Sequence, residues 1–556
     1  MSHRRFAAVL AALAIAGGCV HVDPSTDGVV RGFVLTEGGT PIVGATVRIQ
    51  ATDQAVRTDP DGRFELDATE IVRLTAWAPG YYIAGGDDHL PGTEATFALR
   101  PVPATDNADY EWLTVMADGT EEDQGCAACH SRTGSDVPFA LPVDQWSSDA
   151  HGASARNARF LTMYFGTDTD GRQSPPTRFV TNRDYGRVPV APDPTVPYYG
   201  PGYVLDFPDT SGNCATCHVP VAATKVPYGV DQRNLVGVET EGITCDFCHK
   251  VWDVALDPET TMPLPNRPGV LSLDFLRPAD GHQLFAGPFD DVAPGEDTYS
   301  PLQTTSAYCS ACHFAVFWDT VIYDSYGEWL RSPYSDPTAG QTCQDCHMPA
   351  TGANVFATPE AGGLERDPET IRSHLMPGAS DEELLSNTVT VSASTLREDS
   401  NVVVEVTITN DGAGHHVPTD SPMRHMILLV AATNSAGTPL AQVDGPVLPD
   451  WVGVGDPDTG HYAGLPGSAY AKVLEELWTG VSPTAAYWNP TRVVSDNRIA
   501  ALESDTTQYE FAAPAVGPTT IGIKLLFRRA YIDLMEQKNW AVPDIEMERL
   551  TIAVEG

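Results

Sequence analysis

Between residues 28 and 101 apolar and polar positions alternate with the two-residue period of half-buried strands. Ala45, Val47 and Ile49 point one way, and Phe64 and Leu66 resume the alternation after the turn Asp59-Pro60-Asp61-Gly62. Proline presets φ there and glycine takes a positive φ. Gly80 precedes Tyr81-Tyr82, and a last strand is expected around 96–99. The same period returns near the other end, over 388–392, 402–410, 426–432, 508–511, 521–527 and 551–554, clearest at Val402, Val404, Val406 and Ile408. Short helices are expected over 470–477 and 531–537, and an antiparallel sandwich over 386–556. Residues 105–378 lack long periodic segments and are punctuated by Pro and Gly. They read as a loop-rich, mainly α region of short helices. The fold class is therefore multidomain: a small N-terminal β-sandwich, a loop-rich middle and a C-terminal β-sandwich.

The length, 556 residues, allows three or four domains, and 42% hydrophobic residues mark a globular chain. Net charge is 33 − 74 = −41. That excludes nucleic acid and anionic membrane surfaces as partners and favours basic or metal-containing ones. Most acidic groups are dispersed, as on a solvated face; the run Glu121-Glu122-Asp123 is a candidate for steering a partner.

The middle region carries one pentapeptide five times. CAACH holds Cys126, Cys129 and His130; CATCH holds Cys214, Cys217 and His218; CDFCH holds Cys245, Cys248 and His249. CSACH holds Cys309, Cys312 and His313, and CQDCH holds Cys343, Cys346 and His347. Each is C-x-x-C-H, the pattern that attaches c-type haem: two thioethers to the vinyl groups, and a histidine set under the iron. These motifs use ten of the eleven cysteines. A closed zinc site needs four ligands, whereas here every pair carries its own histidine. A disulfide between cysteines so close would be strained, and no βαβ unit is visible for a thioredoxin-type motif. The reading is five covalently attached haems c, whose porphyrins supply apolar volume that the side chains lack. The second and third motifs, and the fourth and fifth, are close in sequence, which suggests two packed haem pairs plus one.

Several stretches resemble known families. Arg4 and Arg5, the apolar run 6–15 and Ala16-Gly17-Gly18-Cys19 resemble a signal peptide over residues 1–19 ending in the lipobox of bacterial lipoproteins, with Ala16 where leucine is usual. The resemblance implies acylation at Cys19. Ordinary signal cleavage is the alternative, and either way the chain is exported. No later stretch approaches the roughly 18 apolar residues of a spanning helix. Residues 28–101, with GGTPIVGATVRIQ, TDPDGRF and AWAPGY, resemble the carboxypeptidase regulatory-like β-sandwich, which implies a spacer or docking module and no peptidase activity.

In the middle region, a haem motif followed by Trp146, Ser148 and His151 resembles the cytochrome c-554 family of multihaem cytochromes. The resemblance implies that His151 ligates a haem from its distal side. His282 in GHQLFAGP and His374 in RSHLMPG resemble further ligand positions of that group. The stretch NDGAGHHVPTD resembles a loop by which multihaem cytochromes reach a haem from a β-domain, with His415 as ligand and Asp420 where glycine is usual. A fifth distal ligand is unassigned among His89, His416, His425, Met348, Met376 and a vacant position. Arg528 and Arg529, in a tail resembling those of large multihaem cytochromes, are candidates for haem propionates, since guanidinium matches carboxylate.

Two functions follow. Haems saturated by two histidines make an electron carrier with no catalytic residue, anchored through Cys19 in the periplasm or at the outer membrane or cell surface of a Gram-negative-type bacterium. Its partners would be other redox proteins, either cytochromes or an outer-membrane electron conduit. The alternative is an oxidoreductase with one open haem acting on a nitrogen or sulfur oxyanion. Five-haem nitrite reductases usually mark that haem with C-x-x-C-K, which this chain lacks.

Overall fold

The computed structural model describes residues 28–116, 125–279, 281–514 and 516–555. Cys19 with the leader, and the acidic run Glu121-Glu122-Asp123, lie outside the described residues. Two compact units emerge: residues up to Pro101 with Asp291–Gly295, and Val102–Asp290 with Glu296–Gly556.

In the first unit, strand Val29–Thr36 lies between Arg63–Asp67, antiparallel, and Glu94–Leu99, parallel. A second sheet runs Ala55–Arg57, Thr46–Ile49, Val72–Trp77, Ala84–His89. Alternation is strict in the outer strands of the first sheet, so that Phe64, Leu66, Ala95, Phe97 and Leu99 turn inward to join Val30, Val34, Val47 and Leu74 in one core. The Asp59 carboxylate caps its own turn, accepting from Asp61 and Arg63 N–H at 2.9 and 2.8 Å. Gly62 takes φ +73°, and a Cβ there would meet the Val34 carbonyl at 2.7 Å. The segment Asp291–Gly295 docks through the Asp291 carboxylate, which accepts from Ala51 N–H at 2.7 Å. His89, expected in a loop, ends a strand with its ring against Phe97.

In the second unit, the C-terminal residues form two antiparallel sheets. One orders Thr390–Glu398, Asn401–Thr409, Ser504–Ala512 and Gln442–Asp444; the other orders Gly467–Tyr470, His425–Asn434, Thr519–Arg528 and Ile545–Val554. Val402, Val404, Val406 and Ile408 all face inward, against Met426, Leu428, Tyr509, Ile521 and Leu525. The helix expected over 531–537 is present as Ile532–Lys538. The helix expected over 470–477 is not. Gly467–Tyr470 pairs with the central strand His425–Asn434, and Lys472–Glu476 pairs with Thr491–Asp496. Sheet pairing and burial of Tyr470, Val473 and Leu474 override the local helix propensity of Ala, Leu and Glu.

The motif region departs from a mainly α expectation. Its longest helix among the described residues, Ala158–Phe165, has eight residues. Between its helical turns lie two-stranded ladders: Phe179–Asn182 with Gly186–Pro189, Val251–Val254 with Leu273–Phe275, Phe285–Gly287 with Asp297–Tyr299, and Ala315–Phe317 with Thr320–Tyr323. Frequent Pro and Gly stop each helix before propagation repays nucleation. No helix among the described residues is long and apolar enough to cross a membrane.

Candidate haem-ligating site

Each pentapeptide folds as one helical turn. The histidine N–H donates to the carbonyl of the first cysteine in four motifs: His130 to Cys126 at 3.0 Å, His218 to Cys214 at 3.1 Å, His249 to Cys245 at 2.9 Å and His313 to Cys309 at 3.2 Å. The fifth motif is itself the helix Cys343–His347. A separation of four residues sets the histidine and the first cysteine on one helix face. Thr244 and Thr342 cap two of these turns, the latter in a capping box with Asp345. All ten motif cysteines are free and half-buried.

The imidazoles are held by their Nδ1 atoms. His130 Nδ1 meets the Phe356 carbonyl at 2.8 Å, His249 Nδ1 the Ala286 carbonyl at 2.7 Å and His347 Nδ1 the Pro377 carbonyl at 2.7 Å. His313 Nδ1 meets the Asp420 carboxylate at 3.1 Å. Such a tether fixes the tautomer and leaves Nε2 for a metal. Burial pushes His218 down to about 4 and also lowers His130, His249 and His347, keeping them in the neutral form that a metal needs. His313 differs: burial lowers its pKa, but the hydrogen bond and charge of Asp420 outweigh that and raise it to about 8.

Second histidines face two of these rings. His415 lies opposite His347 with centroids 6.3 Å apart and planes 12° apart. His151 lies opposite His313 at 6.2 Å and 61°. Two imidazoles bound end-on to one metal, at about 2 Å each, hold their centroids roughly 6 Å apart, so both pairs fit a shared iron. Their own Nδ1 atoms are tethered too, His415 to the His416 carbonyl at 2.9 Å and His151 to the Asp149 carboxylate at 2.7 Å. His374 sits within electrostatic reach of His249 and His130, and burial pushes it down to about 4. Its N–H donates to the Gln145 side-chain carbonyl at 2.8 Å. His282 is exposed, in the turn before Phe285–Gly287, and is not brought against a motif histidine.

The remaining candidates divide. His425 is fully buried between Trp451 and Tyr531 in the C-terminal core. His416 turns toward Glu328 at 3.5 Å. Among the described residues no histidine ring stacks on His218, although His151 lies within electrostatic reach; Phe160 lies flat on it at 3.9 Å. Arg528 is 2% exposed and spends its donors on Asp544, Val452 and Gly460, so it is a core residue and not a propionate partner. Arg529 keeps a buried Nε without a hydrogen-bond partner, a donor suited to a carboxylate.

Thiol contacts show how the motifs assemble. The thiols of Cys126 and Cys245, of Cys217 and Cys312, and of Cys309 and Cys343 lie within electrostatic reach of one another. The Tyr308 hydroxyl donates to the Cys248 carbonyl at 2.9 Å. The fourth and fifth motifs, neighbours in sequence, are thus neighbours in space. The third lies against the first, and its Phe247 shares one apolar cluster with Ala215 of the second and Ala311 of the fourth.

Sequence reasoning missed Asp149 as a tether, although it stands two residues before His151. It also missed Glu328, which carries the His415 loop: Glu328 Oε2 accepts from His416 N–H at 3.2 Å and from the Thr419 hydroxyl at 2.5 Å. Arg498 completes that anchor at 2.6 Å from Glu328 Oε1.

Comparisons with known proteins agree with parts of this picture. Residues 29–88 match the carboxypeptidase regulatory-like domain. No curated protein matches the chain. Among solved structures, a penta-heme cytochrome c552 from Thermochromatium tepidum is similar, with a TM-score of 0.50 at 18% identity, covering 77% of this chain and 97% of that one. That likeness is one of fold. The PapD-like domain 7 of human CEP192 aligns over 31% of this chain and 89% of that one at 7% identity, with a TM-score of 0.12, too low to carry an argument.

Proposed function

We propose that this chain is a pentahaem c-type cytochrome lipoprotein, akin to the cytochrome c-554 group, that passes electrons between redox partners outside the cytoplasm. The observation that carries the reading is the two facing histidine pairs, His151 with His313 and His415 with His347, each with one member on a C-x-x-C-H turn and all four Nδ1 atoms tethered. Haem c, when bound, supplies an iron that cycles between ferric and ferrous states with its axial ligands in place. Cys126 through Cys346 would hold five such groups, with His130, His218, His249, His313 and His347 beneath them. His151, His415 and His374 would close distal positions. The tethers keep these imidazoles, His218 apart, in one orientation through the redox cycle, so little reorganisation accompanies electron transfer there. The contacts among motifs give a continuous path. The charge of −41 suits basic faces on other cytochromes or on an outer-membrane conduit. Cys19 would anchor the chain to the membrane.

A second reading rests on His218. Near its motif the Tyr323 and Tyr487 rings meet edge to face at 5.4 Å, with Arg424 within electrostatic reach of Tyr487. Such groups could orient a nitrogen or sulfur oxyanion at an open iron. An EPR spectrum of the ferric protein, with carbon monoxide added to the reduced form, decides. Wholly low-spin signals without a carbon monoxide adduct support the carrier. A high-spin signal with one carbon monoxide bound per chain overturns it in favour of the second reading.

A further inference from the structure

The Nδ1 partners fall into two classes. His130, His249, His347, His374 and His415 give Nδ1 to backbone carbonyls. Only His313 and His151, among the tethered candidate ligands described, give it to carboxylates. These two rings are the ones that face each other at 6.2 Å. Both carboxylates are built in. Asp149 is 4% exposed, and one of its oxygens accepts from both the backbone N–H and Nδ1 of His151, each at 2.7 Å. Asp420 accepts from the Ser325 hydroxyl at 2.5 Å as well as from His313.

The backbone at Asp420 gives the same indication. Its φ is +60°, a left-handed conformation that glycine adopts without cost and aspartate does not. The residue that would relieve the backbone is glycine; the residue present adds a carboxylate against an imidazole. Arg424 lies near enough to Asp420 to offset part of that charge, but its Nη1 donates to the Thr419 carbonyl at 3.2 Å.

A carboxylate accepting Nδ1–H draws the proton and makes the opposite nitrogen a stronger donor to its metal. A more basic axial ligand stabilises the ferric over the ferrous state, and second-shell hydrogen bonding is a recognised lever on haem potential. Two such ligands on one iron act in the same sense. Building on the reading as a multihaem carrier, we infer that the Cys309–Cys312 site, held between His313 and His151, is the lowest-potential centre of the chain and the last to be reduced. It is also the junction, because its motif lies near the second, third and fifth. Electrons crossing this site to the fifth motif meet their steepest step there. Asp420 and Asp149 are positioning residues that set that step.

The test is a redox titration of the purified full-length holoprotein, followed optically and by low-spin EPR, on wild type, Asp420→Gly, Asp149→Asn and the double variant. Asp420→Gly relieves the backbone while removing the bonds to His313 and Ser325, and an unchanged covalent haem content by mass spectrometry shows that the variant folds. The expected result is one component reduced last in wild type. Each single variant shifts it to higher potential, the double variant shifts it further, and the other components stay in place. A last component unmoved in both single variants overturns the inference, as does a shift confined to other haems. Mass spectrometry separates the two levels: a wild-type chain with no covalent haem sinks the underlying reading, whereas five haems with an unmoved last component sink the inference alone.

Discussion

His347 and His415 stand 6.3 Å apart, ring centre to ring centre, with planes 12° from parallel. One belongs to a helical turn of the motif region, and the other to a loop of the C-terminal sandwich. Each is tethered at Nδ1 to a backbone carbonyl. The C-terminal sandwich thus brings one of its own histidines against a motif histidine.

Removing His415 tests that relationship. His415→Ala is expected to convert one haem to high spin while covalent haem content stays at five, because the thioethers lie on the other ring's motif. Optical and EPR spectra give the spin state, and intact mass gives the content. A wholly low-spin variant would show that His415 is not a ligand.

Glu328 is the anchor of the loop that carries His415 and Asp420. Its side chain and that of Arg498 are 1% and 5% exposed. Glu328→Ala leaves the Arg498 charge buried with only Asp496 for company, a loss of about 3–5 kcal/mol by the usual cost of breaking a buried pair. A clear fall in melting temperature is expected, together with a partial high-spin signal from the loosened loop. An unchanged melting curve would show that the pair adds nothing to stability.

Glu476 gives a pH dependence remote from any candidate ligand. Burial, with the nearby Asp206 charge, pushes it up to about 7. Because the folded state then holds the proton more tightly than the unfolded chain, whose value is about 4.3, this group's stabilising contribution is fully present below that value. It is lost as pH rises toward 7. Glu476→Gln keeps the neutral shape, so the variant should gain on wild type between pH 5 and 8, by on the order of 2 kcal/mol. Thermal melts at both pH values read this out; a gap that stays constant with pH would refute it.

The anchor is tested by Cys19→Ser. Detergent extraction and fractionation should find wild type with membranes and the variant in the soluble exported fraction, since one acyl-bearing thiol supplies the attachment. Equal partitioning of the two would remove lipidation from the account.

Much of the chain was legible before any coordinates. The alternation at Val402, Val404, Val406 and Ile408 marked a buried face because strand side chains repeat every two residues, whatever the strand pairs with. The C-x-x-C-H motifs were legible because two cysteines and a histidine at this spacing fit within one helical turn. Residues 470–477 misled because Ala, Leu and Glu favour a helix locally, and only pairing to His425–Asn434 and Thr491–Asp496 reversed the preference.

What the sequence determined by itself is therefore local: the repeated pentapeptide, its cysteines and histidines, the strand faces and the turn at Asp59–Gly62. Tertiary structure alone decided which ring faces which. His151 follows the first motif in the chain yet stands opposite His313 of the fourth, and His282, equally plausible on paper, is left exposed. It also placed the Asp420 carboxylate against the His313 imidazole. The physical reason is that a facing imidazole, or a carboxylate at Nδ1, is chosen by distance in space, and separation along the chain carries no record of that distance.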